Sequence, residues 1–328
     1  MPSQSRECQM LAVAQALQQG DRYVLAGHVD PDPDCVGSIL ALDWALRSLE
    51  KTSIPVIPEP ILPSWHFFPY RERLRSPEQV NRDEWDNLVV VDCEVERTGA
   101  VAEWAKSAHM VINIDHHVTN AGTVAIRLLD TTAAASGELI YDLIATLGLS
   151  LNPEVATLLF AAIVSDTGSF RFSNTDERIL HTAADLVHHG ARPDYIAREL
   201  YENHTWGFAK LLQRVLATME RSEDGQVAWI TVTNDMLSQT DARKDEAEGL
   251  IKYPRMIDGV EVAMAFREIG PEETRVGFRS KERVDVSAVA AEFGGGGHAR
   301  ASGCTLSLPV AQARTLVISR VLEYLRTR

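Results

Sequence analysis

Short apolar runs alternate with longer segments of helical periodicity through the first part of the chain. Strands are predicted at 22–28 (RYVLAGH), 87–92 (NLVVVD) and 109–115 (HMVINID), each a short run of apolar residues. Helices are predicted at 5–19, at 34–50 and, between the last two strands, at 98–108. Alternation of strand and helix is typical of a parallel sheet covered by helices, so the pattern predicts an α/β domain.

The pattern changes after about Ala217. Before it, helices are predicted at 136–148 and 152–168, with Asn152 as N-cap and Pro153 in the first turn, followed by a helical connector. After it, strands are predicted at 226–233, 259–269 and 274–280, and helices at 284–293 and 309–328. A chain of 328 residues commonly contains two domains. We therefore expect a second, smaller α/β domain at residues 217–328.

Composition and charge exclude some classes of partner. Apolar residues make up 45% and charged residues 24% of the chain, which is an ordinary globular balance. With 32 Lys and Arg against 46 Asp and Glu, the formal net charge is −14. An acidic protein of this kind is not expected to bind duplex DNA through a basic face. A small anionic substrate is compatible with this charge if local cations or bound metals offset it.

Nothing in the sequence predicts a membrane protein or a disulfide framework. The N-terminus, MPSQSRECQM, is polar, and no apolar run approaches the roughly 18–20 residues that span a bilayer. Four cysteines, Cys8, Cys35, Cys93 and Cys304, are scattered without a CxxC pair. Such spacing favours reduced thiols over disulfides or a zinc site. We therefore expect a cytoplasmic protein that does not bind a membrane.

Acidic and imidazole side chains are concentrated where the predicted strands and helices end. The first group, His28, Asp32 and Asp34, lies in GHVDPDPDCVGS, and Asp92 ends the second strand. Asp115, His116 and His117 end the third strand, and Asp166 lies in IVSDTG at the end of a helix. Taken singly, each fragment has a structural explanation as a turn or a helix terminus. Ligands of parallel sheets collect beyond the carboxyl ends of the strands, so together the groups indicate one site.

The types of these side chains indicate a metal site. Carboxylate oxygens and imidazole nitrogens, without thiolates in motif spacing, suit Mn²⁺ or Mg²⁺ better than structural zinc. The groups are too many for one ion. They suit a two-metal site with one bridging carboxylate, in which the metals lower the pKa of a water and bind phosphoryl oxygens.

The four fragments HVDPDPDCVGS, VVVD, DHH and SDTG, in this order and spacing, resemble the motifs of the DHH phosphoesterase superfamily. The C-terminal FGGGGHARASG (293–303) resembles the glycine-rich signature of its DHH-associated second domain. The chain is most similar to the nanoRNase and pAp phosphatase (oligoribonuclease) branch. The resemblance implies a catalytic metal-binding domain at 1–190, a helical linker at 191–216 and a substrate-binding domain at 217–328. It also implies an active site in the cleft between the two domains.

The resemblance assigns roles to the residues of the first domain. It implies that His28, Asp32 and Asp92 hold one metal ion, and that Asp34, Asp92, His116 and Asp166 hold the other, with Asp92 bridging. His117 would lie beside the substrate phosphate, and Asp115 would orient a neighbouring histidine. The implied cofactor is two Mn²⁺ ions, with Mg²⁺ or Co²⁺ as substitutes. Asp30 is expected to be solvated, and Cys35 and Cys93 are expected to pack behind the site.

The second domain is expected to recognise the substrate. The resemblance implies that Arg279 and His298 bind its terminal phosphate or base, and Arg is suited to bidentate phosphate contact. Glycine tolerates close backbone approach, so the amides of the glycine run are expected to bind an anion. The remaining candidates of the second domain are Gly295, Gly296, Gly297, Ser280 and Arg300. In the first domain, Arg97, Ser136 and Arg171 are weaker candidates, for which a surface charge or, for Ser136, a helix N-cap is an equally compatible reading.

The resemblance implies manganese-dependent hydrolysis of very short 5′-phosphorylated oligonucleotides, such as the linear dinucleotides pApA or pGpG, to nucleoside monophosphates. The nucleotide pAp is a second candidate substrate, with AMP and phosphate as products. A family II type inorganic pyrophosphatase is an alternative, but that branch has a different second domain. A catalytically silent nucleotide sensor is another, although a sensor has no need of a bridging Asp92. The oligomeric state is open, and a homodimer is compatible with the sequence.

Overall fold

The computed structural model describes residues 5–58 and 63–326. The chain divides into two compact units, one that ends at Asn203 and one that begins at His204. Of the helices that the sequence predicts as a connector, the one at 193–201 therefore belongs to the first unit and the one at 206–216 to the second.

The first unit contains a five-stranded parallel sheet with the order β2-β1-β3-β4-β5. Its strands are β1 (Arg22–Ala26), β2 (Thr52–Val56), β3 (Asn87–Val91), β4 (Met110–Asp115) and β5 (Ile126–Leu129). The three predicted strands, β1, β3 and β4, are confirmed and are adjacent in the sheet. The two edge strands, β2 and β5, were not predicted from the sequence. Pro55 in β2 lacks a backbone donor, which is tolerated because β2 is an edge strand.

Helices of the first unit are α1 (Arg6–Gln19), α2 (Pro33–Ser48), α3 (Ser136–Thr146), α4 (Pro153–Asp166), α5 (Glu177–His188) and α6 (Pro193–Tyr201). Asn152 caps α4 as predicted, because its side chain accepts a hydrogen bond from Val155 N at 2.8 Å. Alternate residues of β1 enter different cores: Leu25 packs with helical residues such as Leu40, whereas Val24 packs on the other face with Val101. Both faces of the sheet are therefore covered, as the continuous apolar strands predict.

One predicted helix differs in type. The segment expected to be helical at 98–108 is a 3-10 helix, Val95–Lys106, interrupted at Gly99. Gly99 has a φ of +61°, a left-handed conformation that α-helices do not contain. The interruption explains why a regular α-helix does not form between β3 and β4.

The second unit contains a mixed six-stranded sheet with the order β10-β11-β9-β8-β7-β6. Its strands are β6 (Glu220–Arg221), β7 (Val227–Val232), β8 (Val262–Gly270), β9 (Glu273–Ser280), β10 (Gly296–His298) and β11 (Ala301–Leu306). Its helices are α7 (Trp206–Leu216), α8 (Asn234–Thr240), α9 (Lys252–Arg255), α10 (Val286–Glu292) and α11 (Val310–Arg326). Only β7 and β8 pair in parallel among these strands. The predicted second α/β unit is thus confirmed. Within residues 5–58 and 63–326, no helix is long and apolar enough to cross a membrane.

A candidate metal centre at the strand ends

The three central strands of the first sheet carry candidate site residues at their carboxyl ends. His28 follows β1 by two residues, Asp92 follows β3 directly, and Asp115 is the last residue of β4. Because β1, β3 and β4 are parallel and adjacent, their carboxyl ends bring these residues together. Every one of the three is buried, which is unusual for polar side chains without a functional or structural partner.

Three carboxylates surround the imidazole of His116. Its Nε2 atom lies 3.2 Å from Asp166 Oδ2, 3.5 Å from Asp92 Oδ1 and 3.7 Å from Asp34 Oδ2. Neighbouring ligands of an octahedral ion with bonds of about 2.1 Å lie about 3 Å apart. The four predicted ligands of the second ion are therefore grouped at a spacing that fits one divalent cation.

Asp92 faces two imidazoles with its two oxygens. Oδ1 lies 3.5 Å from His116 Nε2, and Oδ2 lies 3.4 Å from His28 Nε2. A carboxylate that presents each oxygen to a different group of ligands has the geometry that a bridge between two metal ions requires. Asp32, the third predicted ligand of the first ion, caps α2 and accepts from Cys35 N at 3.0 Å.

The backbone at Asp92 adopts an uncommon conformation. Its φ is +69°, in the left-handed region, where Asp is tolerated better than most residues. The Asp92 N–H donates to Ile114 O at 2.9 Å and so fixes this turn against β4. Such conformations cost about 1–3 kcal/mol and cluster at functional sites. The strain at Asp92 is consistent with a site that needs this carboxylate in one place.

Burial and charge shift the ionisation of the cluster. Burial, and then the negative charges of Asp92 and Asp166, raise the pKa of Asp32 to about 6 and raise the pKa of Asp34 well above its ordinary value. Burial opposes ionisation of Asp92, but hydrogen bonds from His116 and His28 hold its pKa well below its usual range. Four carboxylates thus share one buried region, and bound divalent cations would offset their mutual repulsion.

Possible metal-ligand atoms also lie close together in groups of three side chains. Within the part of the chain that the structure describes, three groups offer ligand atoms within 4.8 Å of one another. They are His28 with Cys35 and Asp92, Asp92 with His116 and His117, and Asp34 with His116 and Asp166. Cys35 packs against Gly27, and burial raises the pKa of its thiol well above the ordinary value. Metals bind the thiolate, so the proximity of Cys35 does not make it a good ligand.

Asp115 orients the two histidines that follow it. Its Oδ1 atom accepts from His116 N at 2.8 Å, from His117 N at 3.1 Å and from His117 Nδ1 at 2.7 Å. Its Oδ2 atom accepts from Asn120 Nδ2 at 2.7 Å. The role of Asp115 in orienting a neighbouring histidine stays a prediction, and these contacts identify His117 as the histidine concerned. Asn120 was not predicted from the sequence, since asparagine in a polar loop carries no distinctive signal.

Backbone carbonyls set the orientation of the two predicted metal-binding histidines. His116 Nδ1 donates to Ala133 O at 3.2 Å, and His28 Nδ1 donates to Val29 O at 2.8 Å. Metal-binding histidines commonly donate their other ring N–H in this way. In both rings Nε2 is directed at the carboxylates, which supports the fit of the cluster to metal ions.

Ser136 contacts two of the carboxylates. Its hydroxyl donates to Asp92 Oδ1 at 2.8 Å, and its backbone N–H donates to Asp34 Oδ2 at 2.7 Å. The N–H of Gly137 donates to Asp34 Oδ1 at 2.8 Å. Ser136 is the first residue of α3, and the N-cap is Ala135, so the alternative reading of Ser136 as an N-cap is wrong. A serine between AAA and an apolar helix was the only sequence signal for this role.

Arg97 and Arg171 lie beside elements of the centre. Arg97 is half-buried in the 3-10 helix after β3, and its carbonyl accepts from Val29 N at 2.9 Å, next to His28. Arg171 is exposed and donates from Nε to Gly168 O at 2.5 Å, in the turn that follows Asp166. Asp30 is exposed, as expected.

The candidate substrate-binding residues of the second unit lie in or next to the neighbouring strands β9, β10 and β11. Arg279 pairs with Ala301, and its Nη1 atom donates to Phe278 O at 2.9 Å. Arg300 donates to Val284 O at 2.8 Å. The hydroxyl of Ser280 is buried and donates to Ala299 O at 3.3 Å. The backbone of His298 lies in β10, but its side chain lies outside the described residues.

The glycine run forms regular structure instead of an open loop. Gly294 N donates to Ala291 O and Gly295 N donates to Ala290 O, which ends α10. Gly296 and Gly297 are opposite Gly303 and Ser302 in the β10–β11 pair. The backbone amides of Gly294 and Gly295 therefore donate hydrogen bonds within the fold. Fewer amides of the run remain to bind an anion, which is the role predicted from the sequence.

Fold and cluster together define an α/β protein with a buried carboxylate and imidazole centre, suited to divalent metals, at the carboxyl edge of a parallel sheet. The chain belongs to the DHH family. Residues 22–163 match the DHH family N-terminal domain, and residues 224–327 match the DHHA1 domain. Both parts of the resemblance inferred from the motifs are confirmed.

Relatives match nearly the whole chain. A protein of Thermus thermophilus named bifunctional oligoribonuclease and PAP phosphatase NrnA is 33% identical over 96% of this chain and 94% of its own length. A Bacillus subtilis protein of the same name is 30% identical over 87% of this chain and 90% of its own. The structure of an exopolyphosphatase-related protein from Bacteroides fragilis superimposes with a TM-score of 0.88 at 25% identity, covering 97% of this chain and 96% of that one.

Proposed function

We propose that the protein is a metal-dependent phosphoesterase that hydrolyses very short 5′-phosphorylated oligonucleotides. Linear dinucleotides such as pApA or pGpG are the proposed substrates, and nucleoside monophosphates are the products. The observation that carries this proposal is the buried cluster around Asp92, whose two oxygens face His28 and His116. Support for the substrate class comes from the two oligoribonuclease and PAP phosphatase relatives, which align along almost the whole chain.

The proposed cofactor is a pair of Mn²⁺ ions. His28, Asp32 and Asp92 would hold one ion, and Asp34, Asp92, His116 and Asp166 would hold the other. Oxygen and imidazole donors suit Mn²⁺, and Mg²⁺ or Co²⁺ are plausible substitutes on the same chemistry. When bound, two such ions supply an activated water and stabilise charge on the phosphoryl oxygens.

The remaining residues of the centre position groups for that chemistry. Asp115 accepts hydrogen bonds from His117 N and Nδ1 and so fixes the ring of His117. We assign His117 to contact the substrate phosphate, where a positioned imidazole stabilises charge that develops on the phosphoryl oxygens. Arg97 is half-buried, and its carbonyl accepts a hydrogen bond from Val29, next to His28. We assign its guanidinium group to contact the substrate near the first ion.

Residues 217–328, which lie within the second unit, are the proposed substrate-binding domain, with the metal-binding domain at 1–190 and a helical linker at 191–216. Arg279 and Arg300 supply cations in an acidic chain, and the planar guanidinium group suits phosphate. His298 and the run Gly295, Gly296 and Gly297 complete the proposed contacts. Ser280 is buried, and its hydroxyl donates to Ala299 O. We therefore assign Ser280 to position Arg279 and Arg300, with no direct contact to substrate.

A second proposed activity is removal of the 3′-phosphate of pAp. The names of both relatives include PAP phosphatase, which favours this reaction. A phosphomonoester presents the same phosphoryl oxygens to the same cluster, so one centre can serve both reactions. A family II type pyrophosphatase is the competing hypothesis, and it predicts pyrophosphate as the preferred substrate.

One panel assay tests these proposals. The metal-stripped protein is incubated with Mn²⁺ and, separately, with EDTA, and each is supplied with pApA, pGpG, pentamer RNA, pAp or pyrophosphate. We expect metal-dependent release of monophosphates from both dinucleotides and of AMP from pAp. Hydrolysis of pyrophosphate alone would favour the pyrophosphatase hypothesis. Tight binding of nucleotides without turnover of any substrate would favour a sensor.

A further inference from the structure

One short segment contacts three of the four proposed ligands of the second metal ion and is linked to the fourth, Asp166, through Asn174. Residues 133–137, with the sequence AAASG, lead from β5 into the first turn of α3. At its start, Ala133 O accepts from His116 Nδ1 at 3.2 Å. The next carbonyl, of Ala134, is linked to the backbone of Asp166 by Asn174, whose Nδ2 donates to both at 3.0 and 3.1 Å. Two of the four ligands are thus tied to this segment through its carbonyls.

The other two ligands are bound by donors of the same segment. The N–H groups of Ser136 and Gly137 each donate to one oxygen of Asp34, at 2.7 and 2.8 Å. The Ser136 hydroxyl donates to Asp92 Oδ1 at 2.8 Å, which is the oxygen that faces His116. Ser136 therefore contacts the predicted bridge and a neighbouring ligand at once.

The segment is itself fixed by an ion pair in which the carboxylate is buried and the arginine is partly exposed. Ala134 N donates to Glu138 Oε2 at 2.8 Å, and the Glu138 side chain is 1% exposed. Arg178 Nε lies 2.7 Å from Glu138 Oε1, which connects the start of α3 to α5. Ser136 is completely buried behind the carboxylates, so it is placed to orient ligands and not to contact substrate.

We propose that Ser136 is a positioning residue that determines affinity for the second metal ion. Its hydroxyl holds Asp92 so that Oδ1 points to the His116 group, while Oδ2 remains directed at His28. Without this hydrogen bond, the carboxylate can rotate away from the His116 group and still reach the other ion. The inference rests on the proposed two-metal centre. Loss of a hydrogen bond behind a ligand commonly lowers metal affinity by roughly 10–100-fold.

The test compares Ser136→Ala with Ser53→Ala. Ser53 is a matched control, because it is also buried and its hydroxyl donates to a buried carboxylate, Asp43 Oδ1, at 2.7 Å, away from the cluster. Metal-stripped wild type and both variants are titrated with Mn²⁺ by calorimetry. Electron paramagnetic resonance then reports whether two ions are close enough to couple, and thermal unfolding in EDTA reports the stability of the metal-free proteins.

We expect wild type and Ser53→Ala to bind two ions and to show the coupled signal. Ser136→Ala should bind the first ion with nearly unchanged affinity and the second roughly 10–100-fold more weakly, with loss of the coupled signal at low Mn²⁺. Equal weakening of both ions, or an unchanged second ion, would overturn the role of Ser136 while leaving the two-metal centre intact. A wild type that binds fewer than two ions would overturn the centre as well, so the two failures are distinguishable.

Discussion

At the scale of single residues, Asp92 is the residue on which the proposed metal centre depends most. It is buried, its backbone is in the left-handed region, and its two oxygens face different imidazoles. Removing its charge leaves His28 and His116 without their shared carboxylate. A buried charge cluster that loses one member is strongly disturbed, because the remaining charges are no longer balanced.

Asp92→Asn should therefore lose metal and activity, whereas Asp30→Asn should not. Asp30 is a matched control: it also has a positive φ, at 54°, which Asn tolerates as well as Asp does, but it is exposed. Elemental analysis after dialysis against Mn²⁺ measures the ions per chain. Metal loss in Asp30→Asn together with two ions retained in Asp92→Asn would show that the ligands are assigned wrongly.

Alanine variants of the two histidines should lose activity for different reasons. His116 Nε2 is surrounded by three carboxylates, so His116→Ala should lower metal occupancy. His117 is oriented by Asp115 and assigned to the substrate phosphate, so His117→Ala should keep the metals and lower kcat by roughly 10²–10⁴-fold. Metal content and kcat on pApA are measured for both. Equal metal loss in the two variants would contradict this division.

Candidate ligands could be read from the sequence because Asp and His at the ends of apolar strands are conspicuous. The residues that hydrogen-bond to these ligands and to Asp115 could not be predicted from the sequence. Ser136 and Asn120 act through hydrogen bonds that form only when α3 and the loop after β4 approach the strand ends. Neither residue type is unusual in a helix start or a loop, so only the tertiary structure identifies them.

At the scale of elements, the turn after α4 determines where Asp166 lies. Gly168, Ser169 and Phe170 have φ values of +55°, +59° and +60°, three consecutive left-handed residues that follow the C-cap of the helix, Thr167. The Phe172 ring packs over Gly168 at the place a Cβ atom would occupy, and Phe170 packs edge-on against Phe160, with ring centroids 6.1 Å apart. Three left-handed residues and two packed rings therefore lie within six residues of a proposed ligand, Asp166.

Gly168→Ala should be more destabilising than Gly148→Ala. Both glycines have positive φ, +55° and +73°, but a Cβ atom at Gly148 would meet nothing within 4 Å. The left-handed conformation alone costs about 1–2 kcal/mol for Ala, so Gly148→Ala reports that cost. Displacing Phe172 adds to it, and we expect about 2–5 kcal/mol for Gly168→Ala. Urea unfolding measures both. Equal losses would show that Phe172 moves aside freely.

Elements with strong periodicity were predicted, and those defined by their partners were not. The helices at 6–19 and 33–48 and the inner strands β1, β3 and β4 are apolar enough to be read directly. The edge strands β2 and β5 carry polar or proline residues because one side lacks a strand, which weakens the pattern. The β10–β11 pair was missed because a glycine run gives no apolar alternation.

At the scale of the whole molecule, we assign the chemistry mainly to the first unit and recognition mainly to the second. The proposed metal ligands all belong to the unit that ends at Asn203, whereas Arg279 and Arg300, two of the cations assigned to substrate, belong to the second unit. An acidic protein needs such local cations to bind a small anion. Composition and charge were compatible with a small anionic substrate, whereas the proposed substrate class and its length came from the resemblance.

Arg279→Ala should impair hydrolysis of dinucleotides more than hydrolysis of a minimal chromogenic phosphodiester. Binding energy from remote parts of a substrate helps to place the reacting phosphate, so its loss lowers kcat/KM. We expect a decrease of about 10–100-fold on pApA, about 1.4–2.7 kcal/mol, and little change on the small substrate. Arg275→Ala, four residues earlier on β9, is the control. Equal losses on both substrates would place Arg279 in the catalytic machinery.

The most direct measurement is the rate at which metal-stripped protein converts pApA to AMP as Mn²⁺ is titrated, with metal occupancy measured at each point. The account predicts no product in EDTA, a rate that rises as the second ion binds, and no recovery of that rate in Asp92→Asn. Hydrolysis of pApA that persists in EDTA, or full occupancy by two ions without AMP, would contradict it.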